Sequence, residues 1–399
     1  MAKKTKVIIV GAGPVGLVTA LRLVRAGFTV TVLEQAPELH AEPRASTFHC
    51  STLDLLDTMG LADQLIARGR TAPHWQYRMF ETGEAAVFDM SVLAGETRFP
   101  FRLQAEQFKL VELTAEQLAL EAPGMIRFGA KVTGVSQTAD TVSVAVDQNG
   151  TSDVLTADWL LGCDGASSVV RIGLGLGFDG ETYPVPNVTL GINFDFTGHI
   201  RGLLNVNYFW SANGGSFSMF HTRDMWRMGY SPPKGMSDED ALKPENVQLQ
   251  LNTVLPRSAP YDVAVARLYR IHKRVASDFR VGRILLAGDA AHLNSPSGGF
   301  GMNGGVHDAF NLTEKLIAVE RGADAAVLDR YVRQRRAAAV ADIQATSDAN
   351  YKRHREPDPD KRRVELQRLQ AITQDRALMK DFLMESALIA SYRRAEAVP

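Results

Sequence analysis

The sequence predicts an α/β fold in three parts: a three-layer domain on a parallel sheet with a β-meander inserted in it, a second domain on an antiparallel sheet, and C-terminal helices. Three observations lead there. Val7-Ile-Ile-Val10 is an unbroken apolar run that ends in Gly11-Ala-Gly-Pro-Val-Gly16 and a helical pattern. A second run, Ile284-Leu-Leu-Ala287, ends far downstream in Gly288-Asp289. Between them, 126–161 and 178–279 carry strand-like sequence of two different kinds.

The elements follow in chain order. Residues 7–10 lack alternation, as expected of a strand covered on both faces. Pro14 falls in the first turn of the next helix, where a missing N–H costs nothing. That helix carries Val15, Val18, Leu21, Leu23 and Val24, and Gly27 closes it before the second strand, 28–33. Strand, glycine turn, helix and strand make a right-handed βαβ unit. From 126 to 161, Val132, Val135, Val142, Val144 and Val146 alternate with polar residues around a turn at Asp147-Gln-Asn-Gly150, an antiparallel meander. Asp158-Trp-Leu-Leu-Gly-Cys-Asp-Gly165 returns to a buried strand. From 178 to 279, short aromatic segments such as 205–210, 216–221 and 226–230 suggest an antiparallel sheet, whose aromatics either cover a planar ligand or fill their own core. Residues 300–345 and the charged tail from 358 read as helices, the tail packing on the body or on a partner subunit.

Composition narrows the function. The chain has 399 residues, room for two closely packed units. Its 44 basic and 45 acidic side chains leave no field to attract nucleic acid or an anionic membrane. No apolar run approaches the roughly 20 residues of a membrane span. The lysines at the start resemble a signal-peptide head, but the apolar run from 7 to 10 is too short to follow one, so the reading is cytoplasmic. Cys50 and Cys163 are too few for a disulfide framework or metal cluster and read as free thiols.

The chemistry lies in the glycines. Gly11, Gly13 and Gly16 open a helix after a strand: the first allows the tight turn, the second lets backbone approach a pyrophosphate, the third brings helix and strand together. The helix N-terminus offers free N–H groups to phosphates. Glu34, 18 residues after Gly16, is placed to accept ribose hydroxyls. Alone, this pattern serves NAD and FAD equally. The late Asp289 at a strand tip can bond a ribityl or ribose hydroxyl. The following Gly298-Gly-Phe-Gly-Met-Asn-Gly-Gly305 starts a helix whose N–H groups could face an isoalloxazine. Two such grips on one long cofactor favour FAD.

With Gly11–Gly16, Cys163-Asp-Gly-Ala-Ser-Ser-Val-Val-Arg171 and Gly288-Asp-Ala-Ala-His292 in order, the chain resembles the single-component (class A) flavoprotein monooxygenases of the para-hydroxybenzoate hydroxylase type, from residue 5 to about 345. The resemblance implies a discontinuous Rossmann-like FAD-binding domain (1–75, 101–177 and 278–345), a substrate-binding domain (76–100 and 178–277) and a C-terminal helical segment (346–399). Gly11, Gly13, Pro14, Val15 and Gly16 would hold the pyrophosphate, with Glu34 and Gln35 beside the adenosine ribose. Arg44 and Gln104 would contact phosphates and ribityl chain. Asp164 belongs to a motif tied to FAD and NAD(P)H, with Arg171 nearby. Asp289 would bond the ribityl chain, while Gly301 and the amides of Met302 and Asn303 would hold the flavin pyrimidine. The Pro296 carbonyl would face the reacting edge of the flavin.

In that family, NADH or NADPH reduces FAD, O₂ adds at C4a, and the hydroperoxide gives one oxygen to an activated ring. The expected activity is therefore hydroxylation of a small phenol or hydroxypyridine. The alternative is a flavoprotein of this fold that reduces or dehydrogenates without inserting oxygen. No second GxGxxG unit serves the nicotinamide. The two ring-activating tyrosines of para-hydroxybenzoate hydroxylase have no evident counterparts. His49, Tyr208, His221 and Tyr230 are candidates to contact or deprotonate substrate, and each reads more readily as a packed or surface residue. A monomer or homodimer is expected.

Overall fold

The computed structural model describes residues 4–42, 44–148, 150–212 and 214–399. Strand β1 (Lys6–Val10), helix α1 (Pro14–Arg25) and strand β2 (Thr29–Leu33) form the opening βαβ unit, with Gly27 at φ +94° closing the helix. Next come the hairpin β3 (His74–Met79) and β4 (Ala85–Asp89), strand β5 (Arg102–Gln104) and helix α2 (Gln107–Glu121). The meander is β6 (Ala130–Gln137), β7 (Val142–Gln148) and β8 (Thr151–Ala157), a separate antiparallel sheet. Its turn at 147–150 includes Asn149, outside the described residues.

Strand β9 (Trp159–Gly162) leads into β10 (Asn187–Ile192), β11 (Val206–Trp210), β12 (Ser216–His221) and β13 (Trp226–Tyr230). Helix α3 (Pro244–Val254), β14 (Val263–Tyr269) and β15 (Ile284–Leu286) follow. Helices α4 (Phe300–Glu320), α5 (Val327–Ala337), α6 (Ala345–His354), α7 (Pro359–Gln374), α8 (Arg376–Ser386) and α9 (Ile389–Ala397) complete the chain.

Two large sheets carry the architecture. The first has the order Arg280–Val281, β15, β9, β1, β2, Ile126–Arg127. All its neighbours are parallel except the Arg280–Val281 edge. Strand β1 is buried from Val7 to Val10, which explains its unbroken apolar run. The second sheet has the order β14, β10, β13, β12, β11, β3, β4. It departs from a purely antiparallel sheet at one place: β11 and β3 run parallel, Tyr208 opposite Tyr77. Strand β3 arrives from the first part of the chain, so no tight turn dictates its direction.

The pleat of the second sheet separates two environments. Val188, Leu190, Phe209, Phe217, Met219, Trp226 and Met228 point to one face and pack with Val247 and Leu251 of α3. Their sequence neighbours Thr189, Tyr208, Ser218, Phe220 and Arg227 point to the other face and line a cavity against the first sheet. Helix α7 packs on β4, so the charged tail lies on the body of this chain. Among the described residues, no helix is long and apolar enough to cross a membrane.

Candidate active site

The cavity has a volume of about 1250 Å³ and begins at the loop between β1 and α1. Gly11 sits at φ +101°, and a Cβ there would lie 2.5 Å from the Cys163 carbonyl oxygen. A Cβ on Gly16 would lie 2.0 Å from the Gly11 carbonyl oxygen. Those two glycines are required by the protein itself. Gly13 differs, since a Cβ there would meet nothing within 4 Å, so its bareness serves the cavity. It is also the N-cap of α1, with no side-chain cap and no acid in the first turn, leaving the helix N–H groups open to an anion. Pro14, Val15, Glu34 and Gln35 share this wall. The Glu34 carboxylate is held by the amides of Ala12 and Ala36, each at 2.9 Å.

Arg44 stands at the rim beside Glu42. Glu42 also accepts Arg267 of β14 at 2.7 Å, joining the rim of the first half to the second sheet. The Arg267 guanidinium, helped by Arg44, holds the Glu42 carboxyl down to about 2.

At the strand tips, Asp164 lines the cavity, but both oxygens are engaged within its own turn, by the Ser168 hydroxyl at 2.6 Å and the Val170 amide at 3.1 Å. Arg171 donates to the carbonyls of Ala290 and Ala166, clamping the Asp164-Gly165 and Gly288-Asp289 turns together. Asp289 has no hydrogen-bond partner among the described residues and opens onto the cavity. Surrounding protein pushes its carboxyl up, partly offset by His292 and Arg44. Behind it, Asp308 accepts the Gly288 amide at 3.0 Å, His292 Nε2 at 2.8 Å and Arg335 Nε at 2.6 Å. Asp308 was missed in the sequence. Its one visible signal is a carboxylate among Val306, Ala309, Phe310 and Leu312 of a buried helix.

Pro296, Gly301 and Met302 line the cavity where α4 begins, capped by Gly299 at φ +74° with no side-chain cap. The Pro296 carbonyl accepts the Gly299 amide at 2.9 Å, so that oxygen also closes the turn. The Asn303 side chain lies behind the wall, accepting from His49 N and donating to Thr47 O and Gly299 O. Gln104 also lies behind it, accepting from Thr47 Oγ1, with its Nε2 buried and unpartnered.

The proposed bases divide. His49 is fully buried, its Nε2 2.7 Å from the Gly298 carbonyl oxygen, and it does not line the cavity. Burial, with Arg102 nearby, pushes its imidazole down to about 3. It anchors the glycine loop behind the cavity wall. His221 falls on the far face because its parity on β12 matches Phe217 and Met219; it stacks on Trp226 at 4.2 Å. Tyr230 packs in the same far-face cluster, yet it also lines the cavity beside Gly229 and Ser231. Tyr208 does line the cavity, stacked on Tyr77 at 5.0 Å. His354 and Arg355 line it too, from a segment with no recognisable motif.

A family described as FAD binding domain matches residues 4–346 of this chain. The chain belongs to the class A FAD-dependent aromatic monooxygenases. This monooxygenase is 35% identical to para-nitrophenol 4-monooxygenase of Pseudomonas sp. (strain WBC-3), over 95% of this chain and 94% of the relative. It is 34% identical to 6-hydroxy-3-succinoylpyridine 3-monooxygenase HspB of Pseudomonas putida, over 84% and 85% of the two chains. The crystal structure of p-nitrophenol 4-monooxygenase PnpA from Pseudomonas putida DLL-E4 superposes with a TM-score of 0.91 at 32% identity, covering 98% of this chain and 99% of that one. A ternary complex of aklavinone-11 hydroxylase with FAD and aklavinone gives 0.78 at 29% identity, covering 89% and 70%. The residues of the monooxygenase cavity fit FAD: an uncapped helix N-terminus for phosphate and an uncommitted Asp289.

Proposed function

We propose that this monooxygenase hydroxylates a small phenol or hydroxypyridine with O₂ and NADH or NADPH, in the cytoplasm. The observation that carries this reading is one continuous cavity running from the Gly11–Gly16 loop, past Asp289 and the α4 N-terminus, to the face of the second sheet. Its volume of about 1250 Å³ exceeds the roughly 300–1,000 Å³ of a pocket for one small ligand, which suits a dinucleotide plus a ring. The relatives named for nitrophenol and hydroxypyridine oxidation support the substrate class.

FAD, when bound, supplies the redox chemistry, accepting reducing equivalents from NAD(P)H and activating O₂. The chain supplies position and environment. The α1 N-terminus and Arg44 would hold the phosphates, Glu34 the adenosine ribose and Asp289 the ribityl chain, while Gln104 supports the wall behind them through Thr47. The N–H groups at Gly301 and Met302, at the uncapped start of α4, would hold the pyrimidine edge of the flavin. Tyr208 and Phe220 hold the substrate ring against the second sheet, and the Pro296 loop shields the reacting atoms from water.

The test is NAD(P)H oxidation by FAD-loaded enzyme across phenols and hydroxypyridines under ¹⁸O₂. One labelled oxygen in the product is expected. Stimulated oxidation without label would favour the non-inserting alternative.

A further inference from the structure

The cavity wall contributed by His354 and Arg355 lies beyond residue 346, outside the span matched by the family. His354 closes helix α6 and is 9% exposed, yet its Nδ1 is buried with no partner and neither ring nitrogen makes a hydrogen bond among the described residues. Its ring stands edge-on to Tyr208 at 5.6 Å and to Tyr77 at 6.4 Å. Such an imidazole, idle inside a protein, costs free energy unless a ligand completes it. Arg355 spends Nε on Ser231 Oγ and Nη2 on Asn187 Oδ1, and it enters no ion pair among the described residues.

The sheet places these two groups at opposite ends of a small-residue floor. Arg355 is tied at β10 and just past β13, whereas His354 sits against β11 and β3. Two to four strand spacings separate those anchors, about 10–19 Å. Subtracting a hydrogen bond of about 3 Å at each end leaves room for one substituted ring. Ser218 and Gly229 face the cavity between them, and their smallness leaves room for a flat ring.

We propose that His354 and Arg355 form the substrate-recognition pair of this enzyme: His354 bonds the ring hydroxyl, Arg355 bonds an oxygen-rich group on the opposite side of the ring, and the preferred substrate is a phenol bearing a carboxylate or nitro group there. This rests on the hydroxylase reading above.

The groups around His354 favour an ionised hydroxyl. Burial, with Arg355 and Arg362 nearby, pushes its imidazole down to about 3, so it stays neutral and can donate one N–H to a phenolate oxygen. Arg102 lies close, 3.5 Å from the Tyr208 hydroxyl, and has no carboxylate partner among the described residues. Arg353 is already paired with Glu365. Cations thus outnumber carboxylates at this end, and the hydroxyl proton is released to water on binding.

The experiment titrates FAD-loaded enzyme with 4-nitrophenol, whose ionised form absorbs visibly, and reads the ionisation midpoint of the bound phenol from difference spectra. In wild type the midpoint is expected below that of free 4-nitrophenol, and in H354Q and H354F it moves back toward the free value. R355M is expected to weaken 4-nitrophenol and 4-hydroxybenzoate about tenfold or more while leaving unsubstituted phenol within about twofold, and R355K recovers part of the loss. Bound flavin and near-UV dichroism verify folding of each variant, and the wild-type midpoint needs no variant. A wild-type midpoint equal to that of the free phenol, or an R355M that weakens all three ligands alike, overturns this inference while phenol-stimulated NAD(P)H oxidation survives. An enzyme that binds no phenol overturns the hydroxylase reading and this inference together.

Discussion

Asp308 and Arg335 meet at 2.6 Å with both side chains shielded from solvent, joining helix α4 to helix α5. The same carboxylate holds the Gly288 amide and the His292 imidazole, the two residues that bracket the turn presenting Asp289. The buried pair therefore supports the site from behind and touches no ligand.

Removing Asp308 strands the Arg335 guanidinium inside the protein. D308A is expected to lose about 3–5 kcal/mol of stability, the usual cost of breaking a buried pair by removing one partner. A D308L/R335M double variant is expected to lose less, because no charge is left uncompensated. Urea unfolding of the three proteins decides this, and a D308A as stable as wild type would refute the role.

Asp289 should behave in the opposite way. Its carboxylate has no hydrogen-bond partner among the described residues, so D289A is expected to change stability by less than about 0.5 kcal/mol. FAD affinity is expected to fall about 10- to 100-fold, since a charged hydrogen bond contributes about 1.5–3 kcal/mol. Flavin titration of apoenzyme beside thermal melts separates the two effects. Equal losses in both would place Asp289 in the core with Asp308.

These two aspartates mark the limit of what the amino-acid sequence reveals. Asp289 was legible because its meaning is local: an apolar strand, a glycine and a carboxylate at its tip. Asp308 was not, because its partners at 288, 292 and 335 converge only after folding. His221 was misplaced for another reason. Both faces of β12 are buried or half-buried, so alternation could not say which face met the cavity, and Ser218 and Phe220 turned out to hold it. His354 and Arg355 end a helix of ordinary composition, and only the neighbouring sheet makes them part of the site.

The glycine loop gives a graded expectation. G11A and G16A would drive a Cβ into backbone oxygen at 2.5 Å and 2.0 Å, so both should fail to fold or melt far lower. G13A meets no protein atom within 4 Å and should cost about 1 kcal/mol or less. It should nevertheless bind FAD poorly, because the added methyl occupies phosphate space. A G13A protein with full flavin content would show that this cavity end does not receive the pyrophosphate.

Three buried histidines, His49, His307 and His354, are each pushed down to about 3, chiefly by burial. The unfolded chain takes up their protons near its ordinary value of about 6.5, whereas the native state does not. Stability is therefore expected to fall as pH drops below about 6.5, by up to about 1.4 kcal/mol per pH unit for each histidine. The depressed Asp308 carboxyl adds to this only at far lower pH. Urea midpoints from pH 8 to 4 measure the slope, and H307N should reduce it. A flat profile across that range would show that these imidazoles are charged in the native protein.

Glu42 offers a test at the cavity rim. Its carboxylate joins Arg44 and Arg267, and those guanidinium groups hold it near 2. A carboxyl depressed in this way keeps its bridge above the ordinary carboxylate range and loses it as pH falls through about 2. The bridge is solvent-exposed, so E42Q should alter stability by no more than about 1 kcal/mol. Its expected effect is kinetic, because Glu42, Arg44 and Arg267 all line the cavity and tie its two halves together. Flavin release, followed by recovered fluorescence, should be faster in E42Q at low salt. High salt should accelerate release from wild type and leave E42Q little changed, since screening weakens exposed pairs. Identical release rates and salt responses in the two proteins would show that the rim does not govern escape.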